Sequence, residues 1–376
     1  MSEINGLVTL EELPEREIFI ELKKYKKIVI KEKIRKIKWF SNFLIENELK
    51  DWFYNKTKKL RLDKFRTISK LLNIRDMKIE EMSGKQGISI KHPRFPFDFT
   101  TKEGVRFVAC ALGDGCIHDK GIRYYNKNKL LINEFVRFSK KIFGNLYYKK
   151  YENETEIIIS LPEIYKTIVN TIGLKPGRKS TREVHIPKFI FDVNNEKKIE
   201  FVSQFIDDEG YINDGNIGID LGFDDNNYPF LIYDLKNLFK ILDINSSVFP
   251  VSEYYSSNGE KRRMWRLGIF LFEDAKKLAQ NLKLINPKKV ERCKELLSLN
   301  RRELYRGLDE YVRNMKEIEK MRRFFTVNDL AKTTNRSVRH SRRIVNITRK
   351  LGTIELIKPA CKGYKNINYA TYRVVK

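Results

Sequence analysis

Cysteine is scarce in this chain: Cys110, Cys116, Cys293 and Cys361 are the only four among 376 residues, and no two form a C-x-x-C pair. The four histidines do not complete a zinc spacing beside them, so neither a disulfide scaffold nor a structural zinc is expected. No apolar run reaches the roughly 18 residues that a membrane-spanning helix needs. The first twenty residues, MSEINGLVTLEELPEREIFI, carry acids where a signal peptide would have a basic start and an unbroken apolar stretch. A cytoplasmic protein without membrane contact is the expectation. Acid is also in deficit: 75 Lys+Arg face 49 Asp+Glu, a formal net charge of +26, on a chain that is 41% hydrophobic and 12% aromatic. Such a composition folds. Its charge exceeds what local ion pairs absorb, so the surface should attract a polyanion, with nucleic acid first and an acidic membrane surface second.

The charge is unevenly spread. Residues 21–72 hold 17 basic and 6 acidic side chains, and residues 316–376 hold 16 and 4. Residues 200–240 reverse the balance, with nine acids and two lysines. Acids concentrated inside a polyanion binder point to metal. In the basic amino-terminal part, Ile34, Ile37, Phe40 and Leu44 recur at three- and four-residue steps, which predicts helix from about 31 to 57. A second helix over about 63–72 and the stretch LDKFRTISKLLNIRDMKIEEM, with a turn near Asn73, make a candidate helix-turn-helix. KHPRFPFDFTTKEG, with Pro93 and Pro96, then breaks the periodicity as an extended linker would.

From residue 103 the signals run helix, two strands, helix, two strands, helix, and from about 197 the same order returns. EGVRFVACALGDG and KKIEFVSQFIDDEG are the opening helices, NKLLINEFVRFSKKIFG and YPFLIYDLKNLFKIL the amphipathic middle ones. A period near 95 residues is too long for a solenoid and predicts one duplicated domain with a pseudo-two-fold axis. At one matched point each copy carries an acid followed by glycine, Asp114-Gly115 and Glu209-Gly210. Glycine at a helix carboxyl end is ordinary capping, but an acid there opposes the helix dipole by about 0.3 to 1 kcal/mol. Two such acids brought together by symmetry repel unless protons or cations neutralise them, which a divalent metal with phosphate oxygens would do.

ACALGDGCI and FVSQFIDDEGYI resemble the two LAGLIDADG motifs of single-chain homing endonucleases, and the αββαββα order around each is similar to that family's half-domain. The resemblance covers about residues 100–285. It implies an α+β fold in which two antiparallel sheets form a saddle over the DNA major groove, with the motif helices packed at its centre. It further implies that Asp114 and Glu209 bind Mg2+ or Mn2+ at the scissile phosphates, with the carbonyls of Gly113 and Asp208 as further ligands. Such a metal activates water and stabilises the leaving oxygen of phosphodiester hydrolysis. Family members also use strand-borne basic residues to order the water, for which Arg266 and Lys150 are the candidates. Gln204 and Asp208 are larger and more polar than the small residues that family packs between its motif helices, which predicts a looser helix contact here. Asp214, Asp220, Asp224 and Asp225 put acid on the expected reading strands of the second copy. His118 is expected as a surface or packing residue, and Cys110 and Cys116 as small core residues.

The carboxyl-terminal stretch from FTVNDLAKTTNRSVRH onward resembles a winged helix-turn-helix, with a turn near Asn335, a second helix to Gly352 and a two-stranded wing around Gly363. On that second helix Val338, Ser341, Val345 and Thr348 step by 3, 4 and 3 and should pack inward. Arg336, Arg339, Arg343, Asn346 and Lys350 form a basic stripe suited to a major groove.

The sequence thus divides into a basic helical amino-terminal region (1–98), a first half-domain (99–178), a second (179–300), and a helix plus winged helix-turn-helix (301–376). The expectation is a monomeric, magnesium-dependent endonuclease acting site-specifically on double-stranded DNA. The rival from another class is a non-cleaving binder on the same fold, a DNA-binding regulator or an RNA-binding, maturase-like factor. An intein is not expected, for want of a splicing nucleophile at residue 1 and a terminal His-Asn.

Overall fold

The computed structural model describes the chain apart from residues 1–5, 16, 38, 47, 74–78, 86, 119–120, 152–154, 161–162, 164, 174–176, 178, 180–182, 214, 225–226, 257–258, 300–307, 337, 359–360, 363–366, 369 and 376. It is a mixed α+β structure of several small antiparallel sheets, and it separates into two compact units, Met1–Ser298 and Leu299–Lys376. Among the described residues no helix is long and apolar enough to cross a membrane.

The duplication is visible in the first unit. Helix Lys102–Leu112 leads into strands Gly115–His118 and Gly121–Tyr125, then helix Lys129–Phe143, strands Tyr148–Tyr151 and Glu156–Ser160, and helix Tyr165–Ile172. The second copy runs Asn195–Glu209, Gly210–Asn213, Asn216–Asp224, Phe230–Ile241, Ser247–Tyr255, Lys261–Ile269 and Phe272–Asn281. In both copies the sheet is antiparallel, and the fourth strand lies between the second and the third.

Period-two alternation makes each sheet two-faced. Ile217, Ile219, Leu221 and Phe223 are buried on one side of the long second-copy strand, as Ile157 and Ile159 are in the first. Helices cover those faces: Phe107 stacks on Phe135 at 5.5 Å between ring centroids, and Tyr124 on Phe135 at 4.7 Å. Ring pairs of this kind contribute about 0.5–1.5 kcal/mol each beyond their burial.

The two opening helices pack directly against each other. Helix Lys102–Leu112 is capped by Thr101, whose Oγ1 accepts from Gly104 N at 3.0 Å, and its residues from Gly104 onward are all buried. Helix Asn195–Glu209 is capped by Asn194, which accepts from Lys197 N at 3.0 Å. Between them Arg106 Nε donates to Glu200 Oε2 at 2.6 Å, and Arg106 Nη2 to Lys283 O at 2.5 Å. Lys102 and Lys283 complete the cluster at 3.0 and 3.3 Å from Glu200 Oε1. Burial alone would raise the Glu200 carboxyl, but Arg106 and Lys102 outweigh it and hold it below its ordinary value. The looser helix contact expected from Gln204 and Asp208 does not occur. Gly113 lies so close to Asp208 that a Cβ would sit 2.8 Å from Oδ2. Asp208 Oδ1 is satisfied instead by Tyr124 Oη at 2.6 Å and Gln204 Nε2 at 3.1 Å.

The amino-terminal region departs from the helical expectation. Its predicted long helix is divided into Lys24–Arg35, Phe40–Glu46 and Lys50–Phe53, and the next is Leu62–Leu71. Strand Ile79–Gly84 stands where the candidate helix-turn-helix required a second helix. Ile18–Leu22, Leu60–Arg61, Ile79–Gly84 and Ser89–Lys91 join Asn145–Leu146 of the first copy in a five-stranded sheet. The expected linker is also structural: Phe97 and Phe99 are fully buried and pack edge-on against Phe143, and Phe97–Asp98 pairs with Leu7–Val8. Two prolines disrupted helical periodicity there while the two phenylalanines after them supplied core.

The second unit contains helix Leu308–Arg322, strand Phe325–Thr326, helices Val327–Thr333 and Val338–Lys350, and strands Ile354–Lys358 and Thr371–Val374. Thr371–Val374 pairs with both other strands, and a short hairpin, Cys361–Lys362 with Ile367–Asn368, lies between the last two. Met315, Ile318, Phe325, Leu330, Val345, Ile354 and Tyr372 form its core. Thr326 and Asp329 make a reciprocal capping box, and Asn335 takes a positive φ of 49° in the turn between the two short-spaced helices.

Candidate active site

Asp114 and Glu209 stand at the carboxyl ends of the two packed helices, as their matched sequence positions required. Asp114 Oδ2 accepts from Asn126 Nδ2 at 2.7 Å. Burial, and then the Glu209 carboxylate, push Asp114 up to about 7. Burial also raises Glu209, against the pull of Lys179 and Lys289. Ionised carboxylates in this position are thus held against both desolvation and mutual repulsion.

Two lysines that sequence patterning did not single out answer each helix end. Lys179 Nζ donates to Leu112 O at 2.7 Å, and Lys289 Nζ donates to Ile206 O and Asp207 O, each at 2.7 Å. Leu112 and Asp207 each lie two residues before the acid of their copy, so the two lysines occupy matching places. Each comes from the segment that follows the closing helix of its own copy. Burial lowers both lysines, while Asp114, Asp208 and Glu209 draw them up, which puts acids and lysines in one electrostatic cluster. A cation at a helix carboxyl end also offsets the dipole that the acids oppose.

The run Asp207-Asp208-Glu209 separates into three roles. Asp207 accepts from the backbone N of Ile285 and Asn286 at 2.7 and 3.1 Å, tying the helix to the chain that leads to Lys289. Asp208 turns into the helix contact, where its Oδ2 is buried without a partner. Glu209 remains for the site. The two carboxylates offer only oxygen donors, as would the carbonyls of Gly113 and Asp208 that the resemblance adds, which suits a hard divalent cation. Among the described residues no three His, Cys, Asp or Glu side chains assemble into a ligand group. Magnesium is ordinarily bound by one or two carboxylates completed by water and phosphate, so the electrostatically coupled carboxylates of Asp114 and Glu209 fit it.

The two strand-borne candidates fall on different faces of their sheets. Lys150 pairs in register with buried Ile157, on the helix-covered face of its sheet, and its Nζ is 3.4 Å from Asn133 of the covering helix. Its neighbour Lys149 is the residue on the opposite, open face, aligned with Ile158 and Arg123 and resting over the Tyr151 ring at 4.6 Å. Arg266 is on the open face of the second sheet, with its guanidinium held by Asp220.

That pairing accounts for acid on the second copy's strands. Asp220 faces Arg266 in register and Asp224 faces Arg262, the latter with Nε 3.2 Å from Oδ1. Asp214 and Asp225 lie outside the described residues, as do the side chains of His118, Arg339 and Lys350 and the wing residue Gly363. In the second unit Ser341, Val345 and Thr348 are buried as expected, but Val338 is 43% exposed and Ile344 packs on the core instead. Arg336, Arg343 and Asn346 are exposed, and Arg342 and Arg349 widen the basic surface beyond the predicted stripe. No family model matches this chain, and no curated protein matches it either.

Proposed function

We propose that this protein is a site-specific, magnesium- or manganese-dependent endonuclease of double-stranded DNA, built as a single-chain LAGLIDADG homing endonuclease with a carboxyl-terminal winged helix-turn-helix. The observation that carries the reading is the matched pair of acids, Asp114 and Glu209, at the ends of two packed helices whose last carbonyls accept from Lys179 and Lys289, with both lysines acting electrostatically on both acids. A duplex offers two backbones related by a two-fold axis, and a duplicated site meets both from one chain. In this reading the open faces of the two sheets form the saddle that receives the major groove. The net charge of +26 supports the attraction.

When bound, the divalent cation supplies activation of water and charge stabilisation at the phosphate. Asp114 and Glu209 hold it, and Asn126 fixes the Asp114 carboxylate through the bond to Oδ2. In this reading Lys179 and Lys289, which donate to the helix-end carbonyls, offset negative charge gathered at the site. Arg336, Arg343 and Asn346 of the second unit add contacts outside the core site.

A non-cleaving binder is the second reading, and it has its own support: the lysines already face the acids, so the cluster is partly neutralised without metal. Incubating the protein and magnesium with a random duplex library, followed by deep sequencing of ends, separates the two. Recurrent breaks at one sequence are expected. Enrichment of a bound sequence with no breaks would select the binder.

A further inference from the structure

The open face of the second sheet carries an unusually well-fixed guanidinium. Arg266 Nε donates to Asp220 Oδ1 at 2.7 Å and Nη2 to Asp220 Oδ2 at 2.6 Å. The guanidinium carbon lies 5.2 Å from the centre of the Tyr211 ring. Tyr211 is held flat in turn across Gly218, where a Cβ would come within 2.3 Å of the ring. Arg266 and Asp220 nevertheless retain 29% and 27% side-chain exposure.

A guanidinium is planar and has two donor forks. Asp220 occupies the Nε and Nη2 edge, so the Nη1 and Nη2 edge points away from the carboxylate. Each Asp220 oxygen already accepts from Arg266, so the carboxylate is committed first to holding the guanidinium. The pair is also electrically neutral. A phosphate gains little from a neutralised arginine and meets the Asp220 charge beside it, whereas a base edge needs only oriented donors. Two parallel acceptors in the major groove, O6 and N7, belong to guanine. Arg262 differs: its Nη2 goes to Glu260 at 3.1 Å and its Nε faces Asp224, so no carboxylate squares its fork.

The geometry points to Arg266 as a specificity-determining residue that reads one guanine through its Nη1 and Nη2 edge, with Asp220 and Tyr211 as its positioning residues. This rests on the reading of the open sheet face as the duplex-facing surface. It also accounts for acid on a strand of a polyanion binder: the acid orients a reader and removes its attraction for phosphate.

The test is binding selection from a random duplex pool at fixed salt, without cleavage, by the full chain and by Arg266→Ala, Arg266→Lys and Asp220→Asn. The parent is expected to select a site with one guanine that Arg266→Ala no longer requires, all other positions being kept. Affinity for the parent site should fall roughly 10- to 100-fold in Arg266→Ala, with little further change when that guanine is also replaced. Arg266→Lys should not restore the preference, because an ammonium has no planar fork. Asp220→Asn should weaken the guanine preference while tightening binding to unrelated duplex and steepening its salt dependence. Preference is read from whichever molecules fold, so a partly misfolded variant lowers yield without altering the base profile. A uniform loss across sequences in Arg266→Ala, or an unchanged guanine requirement, overturns the assignment alone. No selected sequence for the parent would overturn both this and the site-specific reading.

Discussion

Replacing Asp114 by Asn should stabilise the metal-free protein, although the residue is a candidate for function. Asp114 releases its proton at about 7 in the folded chain, against 3.8 as the ordinary value. The folded state therefore binds more protons than the unfolded state between those limits, so stability from this group is present in acid and lost as pH rises toward 7. A difference of about three pH units corresponds to about 4 kcal/mol at 1.36 kcal/mol per unit. Asn removes the charge but leaves a polar amide to bury beside Asn126, so about half of this, roughly 2 kcal/mol, should return at pH 8. For a unit of this size that is a rise in Tm of about 4 °C. All three tryptophans, Trp39, Trp52 and Trp265, lie in the first unit, so denaturant unfolding followed by their fluorescence reports that unit. The advantage of Asp114→Asn over the parent should be near zero at pH 4, grow through pH 5 to 7 and level off above. Magnesium should then narrow the gap by stabilising the parent. A variant that is less stable than the parent by the same amount at every pH would refute the claim that Asp114 is an unfavourably buried charge.

Arg106→Met should destabilise the first unit by about 3–5 kcal/mol in denaturant unfolding, because it leaves Glu200 buried without its guanidinium; adding Glu200→Leu should recover most of the loss. Lys289→Met removes the donor to two helix-end carbonyls and a cation beside the acids, so a loss of about 2 kcal/mol is expected, larger at pH 8 than at pH 6 as the acids ionise. Removing Leu299–Lys376 should weaken duplex binding and flatten its salt dependence by about 0.9 in log–log slope for each phosphate that the second unit neutralises, while circular dichroism shows the first unit still folded.

The duplicated core was legible because its signals are long and repeated. Fifteen-residue amphipathic helices announce their faces, and an acid where a helix dipole disfavours it stands out when it occurs twice. The amino-terminal sheet was hidden for the opposite reason. Its strands are two to six residues long, Ile79–Gly84 lacks alternation, and one partner strand, Asn145–Leu146, comes from the far side of a helix. Lys179 and Lys289 follow no periodicity and reach the helix ends from distant segments, so only the fold brings them to the acids. Lys150 shows how fine the limit is. A strand turns its side chains over at every step, and choosing Lys150 instead of Lys149 moved the candidate from the open face to the helix face. Arg266 and Asp220 were each visible in the sequence, but their pairing depends on cross-strand register, which short-range patterns do not determine.

The central claim is that Asp114 and Glu209 hold metal for strand cleavage. Its most direct measurement compares cleavage and binding of one selected site by the parent, Asp114→Asn and Glu209→Gln, in magnesium and in manganese. Each substitution removes a negative ligand with little change of shape, so cleavage should fall by orders of magnitude. Binding without metal should persist or tighten, because a carboxylate near phosphate is repulsive. Robust cutting by both variants would contradict the account, and so would a parent that binds the site tightly and never cuts it.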